Sequence, residues 1–310
     1  MSKLAPVILC VGLTPTVQRT QRFAHLMLGE VNRATETTTT ASGKAVNVAR
    51  VLHTLGAPVS LIQPLGGGSG HFVHENLPFE QEIIWAQDNA PTRTCCTLLS
   101  DDRATELVEE ASHLSEADTE RIIAAVLAKL PAATVLALSG SLPPGVASDF
   151  YAHLCTAASV PVVVDAQKAP LRLALCAQPY LVKPNRQEAV AALGLPESTD
   201  ALGCAQALCA AGAQNALVSE GKAGAVLLTG EGVAWRILPP EITPLNPIGS
   251  GDALMAGLLF SHFVQQETLL NSVRFGTACA AANCLTLTSG VVHPEDVNQL
   301  LSQVVLESVQ

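Results

Sequence analysis

Three small residues, Gly249, Ser250 and Gly251, stand directly before Asp252, and an almost wholly apolar run begins at Ala253. Glycines allow a tight turn and let a ligand approach the backbone closely. The apolar run reads as a buried helix. The free N–H groups of a helix's first turn, at the positive end of its dipole, attract an anion. A carboxylate at that place has two readings. Asp252 either complements the dipole as a helix-start acid, or faces an attacking hydroxyl while the amides hold a transferring phosphoryl group.

Other polar residues close short apolar runs. Ser139 and Ser141 follow TVLAL, Asp165 ends VPVVVD, Lys183 and Asn185 follow YLV, and Ser219 and Glu220 end NALVSE. Ligands of open parallel sheets sit outside the carboxyl ends of the strands, which makes these residues site candidates as a group. Asn185 and Glu188 are spaced i, i+3, so they share one side of a helical first turn.

The elements that must position these residues alternate. Val7–Leu13 reads as a strand, Lys44–Leu55 as a helix ended by Gly56, and VSLIQPLGG as a second strand. Ser115–Leu130 reads as a helix opened by a capping box of Ser115 and Asp118, with Ile122, Ile123, Val126, Leu127 and Leu130 on one face. The alternation predicts an α/β fold with a parallel sheet covered on both faces. Thr20–Ala41 and Thr92–Ala111 break it. Both are rich in threonine and charge, and read as half-polar hairpins that either pair as a small flap over the site or are ordinary surface hairpins.

With 48% apolar and 14% charged residues among 310, the chain can bury a large core. A formal net charge of −10 argues against a broad nucleic-acid surface. The nine cysteines show no zinc or redox spacing and read as small buried hydrophobes in a reducing compartment. His71 and His74 lack acidic or cysteine partners at metal-ligand spacing. The opening MSKLAPVILCVGL is too short in its apolar run for a signal peptide, and no run reaches membrane-span length. The expectation is a soluble, cytoplasmic protein with no membrane partner. Common nucleotide and hydrolase signatures fail. TASGKAV has Thr38 and Ala45 where a P-loop needs Gly and Ser or Thr, GGGSGHF has His71 where a dinucleotide turn needs Gly, and SGSLPPG is no GxSxG elbow.

SGKAVNVARVLHTLG, SGSLPPG, VKPNRQEA and NPIGSGDALMAG resemble, in order and spacing, the ribokinase-like PfkB carbohydrate kinases. The resemblance is strongest to the branch containing 1-phosphofructokinase and tagatose-6-phosphate kinase, and VNRATE, PTRT and VSEGKAGA match it more loosely. It implies one kinase domain over residues 1–310, with a central, mostly parallel sheet and a small β lid from segments about 20–41 and 92–111. The implied activity is Mg²⁺- and ATP-dependent phosphorylation of a ketohexose phosphate, namely fructose 1-phosphate, fructose 6-phosphate or tagatose 6-phosphate. The implied assembly is a homodimer through the lid.

Roles follow residue by residue from that resemblance. Asp252 matches the catalytic base, and Gly249, Ser250 and Gly251 the anion hole. Asn185 and Glu188 match the pair that orders Mg²⁺ through water, and Lys183 faces the nucleotide phosphates. Ser219, Gly221 and Gly224 match the loop beside the nucleotide, and Asn283 with Gly290 the place of adenine. Gly43, Asn47 and Ser141 match sugar contacts, and Arg93 a flap residue that reaches the sugar's own phosphate, with Arg33 and Lys44 as further cations.

Departures bear on the acceptor. Gln18 stands where the family has an aspartate, so recognition of sugar hydroxyls by a charge is lost there. Ser42 and Ala45 replace glycines of the Gly-Gly-Lys-Gly stretch. The alternatives are a kinase for a free sugar or nucleoside, and a sugar-phosphate-binding regulator without catalysis. Intact Asp252, Asn185 and Glu188 oppose the regulator, and Gln18 favours it.

Overall fold

In the computed structural model, which describes residues 7–101 and 103–309, alternate residues of Val7–Val11 serve two different cores. Ile8 and Cys10 join one buried cluster, Leu9 and Val11 another. Successive side chains of a strand point to opposite faces, so this strand is covered on both sides. In chain order the first strands are β1 (Val7–Val11), β2 (Thr16–Arg22), β3 (Glu36–Ser42), β4 (Val59–Leu65) and β5 (Glu80–Trp85). Then follow β6 (Thr94–Ser100), β7 (Arg103–Val108), β8 (Ala133–Ser139), β9 (Val162–Asp165) and β10 (Leu181–Val182). The last are β11 (Ala216–Ser219), β12 (Ala225–Leu228), β13 (Ala234–Leu238) and β14 (Val305–Val309).

A 10-stranded sheet has the order β14-β13-β12-β11-β10-β9-β8-β1-β4-β5. From β11 to β5 every neighbouring pair is parallel. From β11 to β14 the pairs are antiparallel. The turn around Gly230-Glu231-Gly232 folds β13 back on β12, and the remote strand β14 closes that edge. The alternation of short strands and helices predicts the parallel part and misses this antiparallel edge.

The helices are α1 (Lys44–Thr54), α2 (Gly67–Glu75), α3 (Glu116–Lys129), α4 (Phe150–Ala157) and α5 (Lys168–Leu175), then α6 (Arg186–Leu193) and α7 (Ala201–Ala210). After them come α8 (Ser250–Leu259), α9 (Leu269–Cys284) and α10 (Pro294–Leu301). In α8 every residue from Asp252 to Leu259 is buried. It crosses α9 so closely that a Cβ on Gly257 would lie 2.8 Å from the Gly276 Cα. In α3, Ile122, Val126 and Leu130 are buried, whereas Leu127 turns outward and is 41% exposed. The capping box there is only half formed. Ser115 Oγ accepts from the Asp118 amide, but the Asp118 carboxylate accepts from the Ser115 hydroxyl instead of its backbone.

A second sheet of four strands, ordered β3-β2-β6-β7, stands apart from the first. Register puts Gln18 beside Cys95 and Thr40, Cys95 beside Val108, and Thr97 beside Glu106. Residues directly opposite share a face, so Gln18, Cys95 and Val108 lie on one face with Thr97 and Glu106.

Candidate active site

Asp165 closes β9, is 1% exposed, and lies between two ammonium groups. Lys44 Nζ is 2.9 Å from its Oδ1 and Lys183 Nζ 2.9 Å from its Oδ2. Lys183 follows the neighbouring strand β10, and Lys44 opens α1. Burial opposes charge on Asp165, yet Lys183 and Lys44 hold its carboxyl below the ordinary carboxylate range. Burial likewise works against the Lys44 ammonium, but Asp165, Glu188 and Asp252 hold its pKa above the usual lysine range.

Asp252 sits in the first turn of α8. Burial pushes its carboxyl up to about 6, against the pull of Lys44 and with the help of Asp165. Asn47 Nδ2 donates to Asp252 Oδ2 at 2.7 Å, and Lys183 also favours the charged form. A carboxylate poised near 6 is suited to accept a proton at neutral pH. The turn before it depends on Gly249, whose φ is 84°. A Cβ there would lie 2.8 Å from both the Gly290 nitrogen and Ser289 Cβ, so the turn packs on that segment through backbone alone. The N–H groups of this first turn have no intrahelical acceptors.

These groups line one cleft of about 360 Å³, a size suited to small metabolites. It brings together Gln18, Gly43, Lys44, Asn47, Arg93, Lys183, Asn185, Glu188, Ser219, Gly249, Gly251 and Asp252. Asn185 and Ser219 lie side by side through an isolated parallel bridge. Arg93 braces the join between the sheets: Nη1 donates to the Glu109 carbonyl at 3.2 Å and Nη2 to the Thr14 carbonyl at 3.1 Å. Its Nε is buried and has no acceptor among the described residues.

The spacing of Asn185 and Glu188 serves the start of α6 first. Asn185 Oδ1 accepts from the Glu188 amide at 2.8 Å, and Glu188 Oε2 from the Asn185 amide at 2.9 Å. Glu188 Oε1 is 3.6 Å from Lys44 Nζ. Among the described residues no group of three or more His, Cys, Asp or Glu is placed to hold a metal. The oxygen donors of Asn185 and Glu188 fit a hydrated Mg²⁺ that takes most of its ligands from water and phosphate oxygens, not a protein-only cage.

The pfkB family carbohydrate kinase model matches residues 6–295. The chain belongs to this family. It is a carbohydrate kinase, and its fold is ribokinase-like. A structure from Thermotoga maritima described as a possible 1-phosphofructokinase is similar with a TM-score of 0.89 and 22% identity, over 98% of this chain and 100% of that one. Phosphofructokinase-2 from Escherichia coli, solved with fructose-6-phosphate, is 25% identical with a TM-score of 0.84, over 96% and 98% of the two chains. Ribokinase from Thermotoga maritima has a TM-score of 0.76 at 16% identity, over 96% and 99%.

Several residues that the pfkB resemblance points to lie outside the cleft. Arg33 is exposed in the connection from β2 to β3. The register pairs Thr16 with Ser42 at the cleft end and Arg22 with Glu36 at the other, so this connection starts about 20 Å away at strand rise. Ser141 does not line the cleft, and its hydroxyl is 3.4 Å from Thr14 Oγ1. Ser250 does not line the cleft, although Gly249, Gly251 and Asp252 around it do. Asn283 is fully buried and both ends of its amide are used: Nδ2 donates to the Ile248 carbonyl at 2.9 Å, and Oδ1 accepts from the Gly290 amide at 2.7 Å. Asn283 and Gly290 therefore support the turn from behind. Gly221 is exposed, and Gly224 is buried against the Ile237 carbonyl.

Other cleft residues carry no role in the sequence reading. Asp165 appears there only among the strand-end candidates, and the pairing that makes it central needs three separate segments. Glu106 lines the cleft from β7; burial pushes its carboxyl up while Arg93 opposes that shift. Period-two alternation in RATELV puts Glu106 and Val108 on one face, which is the one signal that could have found it.

Proposed function

We propose that the chain transfers the γ-phosphoryl group of ATP to a hydroxyl of a ketohexose phosphate: fructose 1-phosphate, fructose 6-phosphate or tagatose 6-phosphate. One observation carries this reading: the poised Asp252 and its amide turn share a single cleft with Lys44, Lys183 and Arg93. Asp252 takes the proton of the acceptor hydroxyl. The amides of Gly249, Gly251 and Asp252, unlike the Ser250 amide that donates to the Pro247 carbonyl, receive the charge that develops on the transferring group, where fixed donors act most strongly. Lys183 lies beside that turn, 3.5 Å from where a Cβ on Gly251 would stand. Lys44, already engaged by Asp165 and Glu188, faces the same phosphoryl group. Asn185 and Glu188 would hold a hydrated Mg²⁺ through water, and that ion would supply charge neutralisation at the nucleotide phosphates. The four-stranded sheet acts as lid on one kinase domain, and Gln18 reaches the sugar with its amide oxygen, since Nε2 donates to Thr97 Oγ1 at 2.8 Å.

Arg93, whose Nη groups each keep one N–H beyond their bonds to the Glu109 and Thr14 carbonyls, is assigned to the phosphate already on the sugar, because charge-assisted bonds from guanidinium to phosphate are strong and directional. The likeness to a phosphofructokinase solved with fructose-6-phosphate supports this. Arg93→Ala should raise KM for the sugar phosphate about 10- to 150-fold, the equivalent of about 1.5–3 kcal/mol, and leave KM for ATP nearly unchanged. Steady-state kinetics over a salt series measure both constants. An unchanged sugar KM defeats the phosphate assignment. A free sugar or nucleoside as acceptor is the second reading. It is favoured by Glu106, a carboxylate that lines the same cleft as Arg93 and would repel a phosphate there.

The lid also supports a homodimer. Met27, Leu28 and Val31, in the β2–β3 connection, are 58%, 95% and 80% exposed, and Leu107 and Val108 on edge strand β7 are each 55% exposed. Apolar side chains on unpaired edges call for a cover. Light scattering at micromolar concentration should give twice the chain mass, and a fully active monomer contradicts the assembly.

A further inference from the structure

Ser42, where the resemblance has glycine, lines the cleft, and its hydroxyl is turned to Asn47. It is the last residue of β3, is buried, and donates through Oγ to Asn47 Oδ1 at 3.0 Å. Its Oγ also lies 3.2 Å from Ser289 Oγ, so Ser289 can donate to it and leave the Ser42 proton for Asn47. Arg50 Nη1 is 3.5 Å from the same Asn47 oxygen and donates to the Ser289 carbonyl at 3.1 Å. Arg50 Nη2 donates to the Ala41 carbonyl, next to Ser42.

A carboxamide has a donor end and an acceptor end of nearly equal shape, so its neighbours decide which end faces where. Donors from Ser42 and Arg50 demand oxygen on one side of Asn47. The NH₂ group is thereby turned to Asp252 Oδ2. The reversed amide would set oxygen against a buried carboxylate, which is repulsive and leaves two donors unpaired.

We propose that Ser42 is a positioning residue for phosphoryl transfer: it locks the Asn47 amide so that Asn47 holds Asp252 Oδ2, leaves Oδ1 for the acceptor hydroxyl, and ties the base to the end of a lid strand. The proposal rests on the reading of Asp252 as the base. A hydrogen bond to the charged form of an acid favours that form, so loosening Asn47 makes Asp252 harder to ionise. The other charged groups facing Asp252 are Lys44 on α1, Lys183 after β10 and Asp165 on β9, and none of them is touched by a change at Ser42.

Ser42→Ala and Ser42→Gly remove the hydroxyl with different backbone consequences, and should behave alike. Each should lower kcat about 3- to 10-fold, the scale of one hydrogen bond, and leave KM for ATP and the melting temperature near the wild-type values. The acid limb of the kcat/KM–pH profile should move to higher pH by about half to one unit, the pH equivalent of a 3- to 10-fold loss. In an Asp252→Asn background Ser42→Ala should have no further effect on kcat. An unmoved acid limb, additive losses in that background, or a Gly variant that keeps the wild-type profile overturns the proposal. If the base reading itself is wrong, Asp252→Asn alone retains turnover, a result that does not involve Ser42.

Discussion

Asp252→Asn should lower kcat by about 10²–10⁴-fold, the range for loss of a positioned general base, with nucleotide affinity nearly unchanged. The side chain keeps its shape, and Asn47 Nδ2 can still donate to the remaining oxygen, so the loss is chemical and not one of folding. In the wild type, kcat/KM should fall as pH drops through about 6, because the protonated carboxyl cannot accept the hydroxyl proton. The same shift has a stability consequence. A carboxyl whose folded pKa is raised from 3.8 to about 6 favours folding while protonated, and that contribution is lost as pH rises through this window. Above it the buried charge destabilises the fold. Asp252→Asn should therefore melt higher than wild type at pH 7 and lose that advantage toward pH 4. Stability and function oppose each other at this residue, as is common for buried catalytic groups. Near-normal turnover in the variant removes Asp252 from the chemistry.

Asp165→Asn should destabilise the fold by about 3–5 kcal/mol at pH 7, the scale for breaking a buried ion pair by deleting one partner. Lys183 is 3% exposed and would be left without a counter-charge 2.9 Å away. Lys44 would lose its closest acid and keep Glu188 at 3.6 Å and the more distant Asp252. Urea unfolding at neutral pH measures the loss. Because the folded pKa of Asp165 lies below its unfolded value near 3.8, its contribution is present above that value and lost as pH falls through the folded one. The gap between variant and wild type should thus narrow in acid. Replacing Lys183 by Met together with Asp165→Asn should recover a large part of the stability, since an apolar replacement removes the orphaned charge. An Asp165→Asn protein as stable as wild type at pH 7 means that the carboxylate contributes nothing net between its lysines.

The parallel sheet was legible because VILCV, VVVD and ALVS are short, apolar and β-branched, and each ends in polar or glycine residues. The buried helix after Asp252 was legible from an unbroken apolar run. Strand β14 was not, since its VLESV pattern is half polar and its partner β13 is remote in sequence. In the site, local motifs were readable and long-range pairings were not. The place of Asp252 behind a glycine turn is a local pattern. The bridging of Lys44 and Lys183 by Asp165, and of Ser42 to Asp252 through Asn47, joins segments that only the fold brings together. The place of Arg33 is another long-range matter: register puts the hairpin end that carries it about 20 Å from the cleft of its own chain, a spacing no local motif reveals. The inward bonding of Asn283 was not legible either, because a polar residue in a sequence gives no sign that both ends of its amide are used by the backbone.

The most direct test of the account is release of ADP from Mg²⁺–ATP by the wild-type protein, compared across acceptors at matched concentrations. The acceptors are fructose 1-phosphate, fructose 6-phosphate and tagatose 6-phosphate, set against free fructose, ribose and adenosine. The account predicts that kcat/KM is highest for one of the ketohexose phosphates and that Asp252→Asn abolishes most of that release. A highest value for a free sugar or nucleoside, or ADP release that no acceptor stimulates, would contradict it.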